Sequence, residues 1–166
     1  MARWSKQQAK DWYLDQPWLI GCNFLPSSAI NQLEMFQQDT YDRQTIEREI
    51  KWARSLGFNS LRIYLHDLLW CEDPKGFCGR LDDLLNICEK HFIRPILVLF
   101  DDCHRPYPKL GKQPLPVSGV HNSGWKQSPG VELVHAIQAD TACEEVIRLK
   151  EFVQGVLTEF AEDQRI

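Results

Sequence analysis

Asp101, Asp102 and His104 stand directly behind five unbroken apolar residues, Ile96–Phe100, in the stretch RPILVLFDDCHRP. Carboxylate and imidazole groups set that close can pass a proton between them or hold a divalent cation. A second group belongs to SLRIYL, where Arg62 interrupts an apolar run and His66 and Asp67 follow it. A guanidinium placed there must turn into a crevice and find carboxylates, either as a structural ion pair or in a functional role. His66-Asp67 reads as a ligand or proton-transfer pair, or equally as a loop cap in which the imidazole bonds backbone. Asn23 sits near the end of a third run, WLIGCNF.

The stretch 101–139 adds groups of another kind. Trp125, like Trp70 farther upstream, offers a flat apolar face suited to stacking on a sugar ring or to anchoring a loop. Asn122, with His121, Ser123 and Gln127, offers partners for hydroxyls. Glu34 and Glu72 are lone carboxylates that read as solvated, and Glu144, Glu145 and Glu151 read as the wet face of a helix. A metal-dependent hydrolase built on Asp101, Asp102, His104, His66 and Asp67 is one further reading, although no recognised ligand spacing supports it and no metal or cofactor is assigned. The six cysteines (Cys22, Cys71, Cys78, Cys88, Cys103, Cys143) include no CxxC pair and read as reduced structural thiols.

These groups need elements to hold them, and the pattern supplies an alternation. Trp18–Phe24, Ser60–Leu65 and Pro95–Phe100 read as strands, each followed by polar residues and then by helical spacing. Unbroken apolar runs suit parallel strands covered on both faces. Behind the first strand Ile46, Ile50, Ala53 and Leu56 recur at helical spacing, with Asp42 as cap and Gly57 as stop. Behind the second, Phe77, Leu81, Leu84, Leu85 and Cys88 do so from just beyond Pro74. The third helix carries Val146, Leu149, Val153, Val156, Leu157 and Phe160, with Asp140 or Thr141 as cap. A leading helix is expected from Ser5, whose spacing to Gln8 has capping-box form. The order β, α, β, α, β, α implies right-handed crossovers and a parallel sheet, and hence an α/β fold: a (β/α) barrel or an open doubly wound sheet. No glycine-rich phosphate loop follows any strand, which weakens the nucleotide-binding option. The polar segment 101–139, rich in proline, glycine and histidine, reads as a long functional loop on the substrate side.

Composition excludes several partners. With 43% hydrophobic and 25% charged residues the 166-residue chain can bury one core, so one domain spanning 1–166 is expected. A net charge of −4 gives no electrostatic case for nucleic acid or an anionic membrane. The amino terminus lacks the apolar stretch of a secretory signal and no run approaches a membrane span, which points to the cytoplasm.

GCNFLPSSAINQLEMFQ, SLRIYLHDLLW, RPILVLFDDCHRPYPKLGKQP and GVHNSGWKQSPG together resemble the amino-terminal part of bacterial cellulase-family glycosidases, the clan A, family 5-like (β/α)8 barrels often labelled 1,4-β-xylanase. The likeness runs through nearly the whole chain. It implies a TIM barrel, here its first three β/α units. It also implies retaining hydrolysis of β-linked glycans by two glutamates about 5–5.5 Å apart. The family carries these glutamates after its fourth and seventh strands. This chain contains no Asn-Glu-Pro, so both are expected beyond Ile166, and the chain alone is expected to be inactive. On this resemblance Arg62 matches the second-strand arginine that orients the nucleophile, and His104 falls near a residue lining a sugar subsite. Asn23, His66, Asp67, Asp101, Asp102, Asn122 and Trp125 are carried as sugar-contacting positions. A noncatalytic carbohydrate-binding half-barrel is the alternative, and open sheet edges imply self-association.

Overall fold

The structure, a computed structural model, describes residues 3–166. Three strands, β1 (Gly21–Asn23), β2 (Ser60–Tyr64) and β3 (Arg94–Val98), form one parallel sheet in the order β1-β2-β3. The chain is thus mixed α/β, as the alternation requires. β1 and β3 are both edges of the sheet.

The expected helices form where their caps stand. α1 (Lys6–Asp15) opens on the Ser5–Gln8 capping box, and α3 (Arg43–Ser55) opens on Asp42, which accepts from the Thr45 amide at 3.1 Å. α5 (Pro74–Lys90) starts with proline at its first position and Asp73 as cap. Gly57 ends α3 with φ of 91°, a left-handed turn that a β-carbon would strain. Three helices come as additions: α2 (Gln32–Phe36), α4 (Asp67–Glu72) and α6 (Val131–Ala139). The segment 101–139 therefore ends in a helix rather than running as loop throughout. α7 (Glu144–Phe160) starts after Cys143, with no side-chain cap, so neither Asp140 nor Thr141 serves. Asp140 instead accepts from the Ala142 amide, closing a turn just ahead of the helix.

The strands are shorter than the apolar runs. Trp18–Ile20 stay outside the sheet because Asn59 takes them over: its side chain accepts from the Ile20 amide at 2.7 Å and donates to the Trp18 carbonyl at 2.8 Å. Leu65 and the pair Leu99–Phe100 likewise lie beyond the paired register.

Only one face of the sheet is covered by helices. Leu61, Ile63 and Leu65 join Ile46 and Ile50 of α3, Leu81, Leu84 and Leu85 of α5, and Phe152 and Val156 of α7 in one buried core. α7 buries Phe152, Val156 and Phe160, whereas Leu157 is half exposed. Leu56, also expected in a buried stripe, is 74% exposed where α3 ends. Across the other face, register sets Asn23, Arg62 and Ile96 abreast on the three strands. All three are exposed, and Ile96 shows 49% of its surface. α1 buries nothing and leaves Trp12, Tyr13 and Leu14 to solvent.

Candidate functional site

The segments that follow the strands meet above their carboxyl ends, held there by buried amides. Asn31 uses every polar valence it has. Its carbonyl oxygen caps α2 by accepting from the Leu33 and Glu34 amides, and its NH2 donates to Gln113 Oε1 and to the Gly124 carbonyl, both at 2.9 Å. Gln37 exchanges bonds with the backbone of Gly111. The segment after β1 thereby fixes the one after β3. Two backbone bonds of 2.8 Å between Asp101 and Ser128 fold that segment back on itself, and Gln127 donates from its amide to the Arg105 carbonyl.

This fold-back carries a row of rings across the uncovered face. The Arg62 guanidinium lies 4.9 Å from the Tyr64 ring centre, Tyr64 meets Trp125 edge-on at 5.1 Å, and Trp125 lies 5.4 Å from His104. His104 Nε2 stands 2.9 Å from Asp101 Oδ2, and Cys103 donates its thiol hydrogen to Asp101 Oδ1 at 3.0 Å. Beside this end of the row is a cleft of about 500 Å³ lined by Cys103, His104, Arg105, His121 and Asn122.

Of the residues singled out in the sequence, the structure thus brings together Arg62, Asp101, His104 and Trp125, with Asn122 at the adjoining cleft. Asn23 lies beside Arg62 and shares a shallow hollow with it. Asp102 is exposed and takes no part in the Asp101 cluster. Arg62 faces the open side, as a guanidinium within an apolar run should, but among the described residues it finds no carboxylate and rests on Tyr64 instead.

His66 and Asp67 are placed differently, for both are fully buried. His66 Nδ1 lies 3.2 Å from the Leu68 amide and 3.2 Å from Asp67 Oδ1. It can accept from the first or donate to the second, and in either case it is spent within the loop. Asp67 Oδ1 accepts from the Ser128 hydroxyl at 2.8 Å, and Ser128 Oγ accepts from the Asp67 amide. These two residues anchor the long segment and neither lines the cleft, although His66 Nε2 is buried without a hydrogen-bond partner. Trp70 is likewise a packing residue, tilted against Phe152 and lying over Gly155, where a β-carbon would come within 1.9 Å of its ring. Glu34 is not merely solvated, since it accepts from the Ile30 amide at 2.7 Å.

Tyr64, Cys103, Asn31 and Ser128 matter here although the sequence did not mark them. The alternation that puts Tyr64 on the same face as Arg62 was the available signal for the first. For Cys103 the signal was its place between Asp101 and His104. Nothing local marks Asn31 or Ser128, because their partners lie far along the chain.

Charge and burial tune several groups. Burial pushes the Asp67 carboxyl up, but hydrogen bonds from His66 and Ser128 outweigh it and hold the group below its ordinary value. The hydrogen bond to Asp101 and the negative charges of Asp101 and Asp102 push the Cys103 thiol up, so without a further cation it stays protonated at neutral pH. Burial also raises the Tyr64 hydroxyl, against the opposing pull of Arg62.

Fold and rim define the class: an α/β chain whose long segment builds a cleft at the carboxyl ends of a parallel sheet, the place where such folds bind ligands. Compared with known protein families, curated proteins and solved structures, the chain matches none. No helix among the described residues is long and apolar enough to cross a membrane.

Proposed function

We propose that this chain is glycoside hydrolase-like, of the (β/α)8 barrel type, and that its rim binds a β-linked glycan. The observation that carries the reading is the ring row itself. Trp125, partly buried, is held edge-on by Tyr64 and flanked by His104, giving a rigid apolar face beside polar groups. Sugar rings bind such faces through their C–H surfaces while hydroxyls take the neighbouring donors and acceptors. The barrel reading draws support from the parallel order β1-β2-β3 and from the uncovered face of Asn23, Arg62 and Ile96. In a barrel, that face is the interior. An arginine exposed there without a carboxylate partner suits the role of holding a catalytic carboxylate ionised.

On this reading the residues at hand bind rather than cleave. Retaining hydrolysis needs two carboxyl groups about 5–5.5 Å apart across the scissile bond. Asp101 is engaged with Cys103 and His104, and Asp102 stands apart from them. The noncatalytic carbohydrate-binding reading therefore describes what this rim does by itself.

The test is a tryptophan-fluorescence titration with cello-, xylo- and malto-oligosaccharides. Saturable quenching by a β-linked series, abolished in Trp125→Ala and weakened in Arg62→Ala, is expected. Wild-type quenching in Trp125→Ala, or equal binding of the α-linked series, overturns the reading.

A further inference from the structure

The cluster at the end of the ring row has a chemistry that sugar binding does not use. Among the described residues, Asp101, Cys103 and His104 alone gather three metal-binding side chains with ligand atoms all within 4.8 Å of one another. Carboxylate to thiol is 3.0 Å, thiol to imidazole 3.9 Å, and imidazole to carboxylate 2.9 Å. Ligands around a tetrahedral zinc ion, with metal bonds of about 2.0–2.3 Å, stand roughly 3.3–3.6 Å apart. The thiol contact is to Asp101 Oδ1 and the imidazole contact to Oδ2, and each of these distances differs from that figure by only a few tenths of an ångström.

An independent observation concerns Asp101. Its side chain is only 9% exposed, and Oδ2 is buried without a hydrogen bond. His104 Nε2 lies 2.9 Å away, within pairing distance, yet it makes no hydrogen bond to Oδ2. A buried carboxylate oxygen left in that condition is costly and calls for a partner. An ion lying between Oδ2, Nε2 and Sγ satisfies all three at once.

The frame is also held in place. Asp101 is fixed by its two backbone bonds to Ser128, and His104 packs on Trp125. Cys103 and His104 line the cleft, so a fourth position opens toward solvent and His121.

We infer that Asp101, Cys103 and His104 form a binding site for a zinc-type divalent ion, with one coordination position left open to the cleft. One thiolate, one imidazole and one carboxylate select a borderline-soft ion such as Zn²⁺ over Mg²⁺ or Ca²⁺, which prefer all-oxygen shells. On binding, the Cys103 thiol gives its proton to solvent and its sulfur becomes the metal ligand, while Asp101 Oδ1 loses a hydrogen-bond donor and Oδ2 gains a cation. The set differs from the one the sequence suggested. Cys103 enters it; Asp102, His66 and Asp67 do not.

The experiment is titration of the untagged, reduced, metal-free chain with Co²⁺ and, in competition, Zn²⁺, read by the sulfur-to-cobalt charge-transfer absorption and by bound metal after gel filtration. One ion per chain, with charge-transfer absorption and displacement by Zn²⁺ but not by Mg²⁺, is expected. Cys103→Ser should abolish that absorption. His104→Ala and Asp101→Asn should weaken binding by more than about 100-fold, beyond the usual cost of losing a supporting group. Cys71→Ser, at another exposed thiol, should change nothing. Unaltered binding in Cys103→Ser, whose circular dichroism reports its folding, overturns the inference, as does no stoichiometric binding by the parent chain. Sugar binding is read separately by fluorescence, so either result can fail without the other.

Discussion

Two clusters of polar side chains stand above the same strand ends, and they differ in how fully their hydrogen bonds are made. Around Asn31, every donor and acceptor of the side chain is matched by Gln113, Gly124 or the start of α2. Around Asp101, one carboxylate oxygen is buried and unmatched, and the thiol that bonds the other is exposed. A satisfied network spends its polarity on holding loops together, whereas an unsatisfied one keeps polarity in reserve for something that arrives. The amide clamp is thus the scaffold, and the Asp101 cluster is what it presents.

The comparison breaks most severely at Asn31. Asn31→Ala removes a helix cap and leaves Gln113 and the Gly124 carbonyl without their partner, so a loss of about 3 kcal/mol is expected in denaturant unfolding. A loss below about 1 kcal/mol would mean that the clamp is not the scaffold. Gly155→Ala is expected to destabilise by about 1–3 kcal/mol, because the added methyl meets Trp70. An ordinary exposed helix gains about 1 kcal/mol from that change, so the sign of the shift in Tm decides whether Trp70 packs as described.

A smaller effect concerns pH. The folded Asp67 carboxyl lies below its ordinary value of 3.8. The stability it contributes is fully present above 3.8 and is lost as pH falls through the lower, folded value. Asp67→Asn should therefore flatten the acid limb of stability against pH and leave its slope near neutrality unchanged. An unaltered acid limb would show that the Ser128 anchor does not depend on charge. The smallest effect is expected at Cys103→Ser: within about 0.5 kcal/mol of the parent, because an exposed thiol held in reserve stabilises little. A larger loss would move the Asp101 cluster to the scaffold side of the comparison.

Much of the architecture was legible from short-range pattern. Helical spacing from Ile46 to Ala53 and from Phe77 to Cys88, with Asp42, Pro74 and Gly57 as punctuation, needs only neighbours three and four residues away. The strands were legible in existence and order. Their ends were not, because Asn59 captures Ile20 from 39 residues along the chain and Trp18 from 41. At the site, Arg62, Asp101, His104 and Trp125 were marked by residue type, while the identical marks on His66, Asp67 and Trp70 belonged to anchors and packing. Residue type states what a side chain can do. Burial and partners decide whether it is free to do it.

Sequence alone determined the α/β alternation, the parallel sheet that such alternation requires and the polar groups behind each strand, since these follow from periodicity and local sterics. Only the tertiary structure decided that Asp67 meets a serine 61 residues along the chain, and that Arg62 rests on an aromatic ring instead of a carboxylate. It alone left one oxygen of Asp101 buried without a bond. Hydrogen bonds between distant residues depend on loop closure, and loop closure leaves no period in the chain.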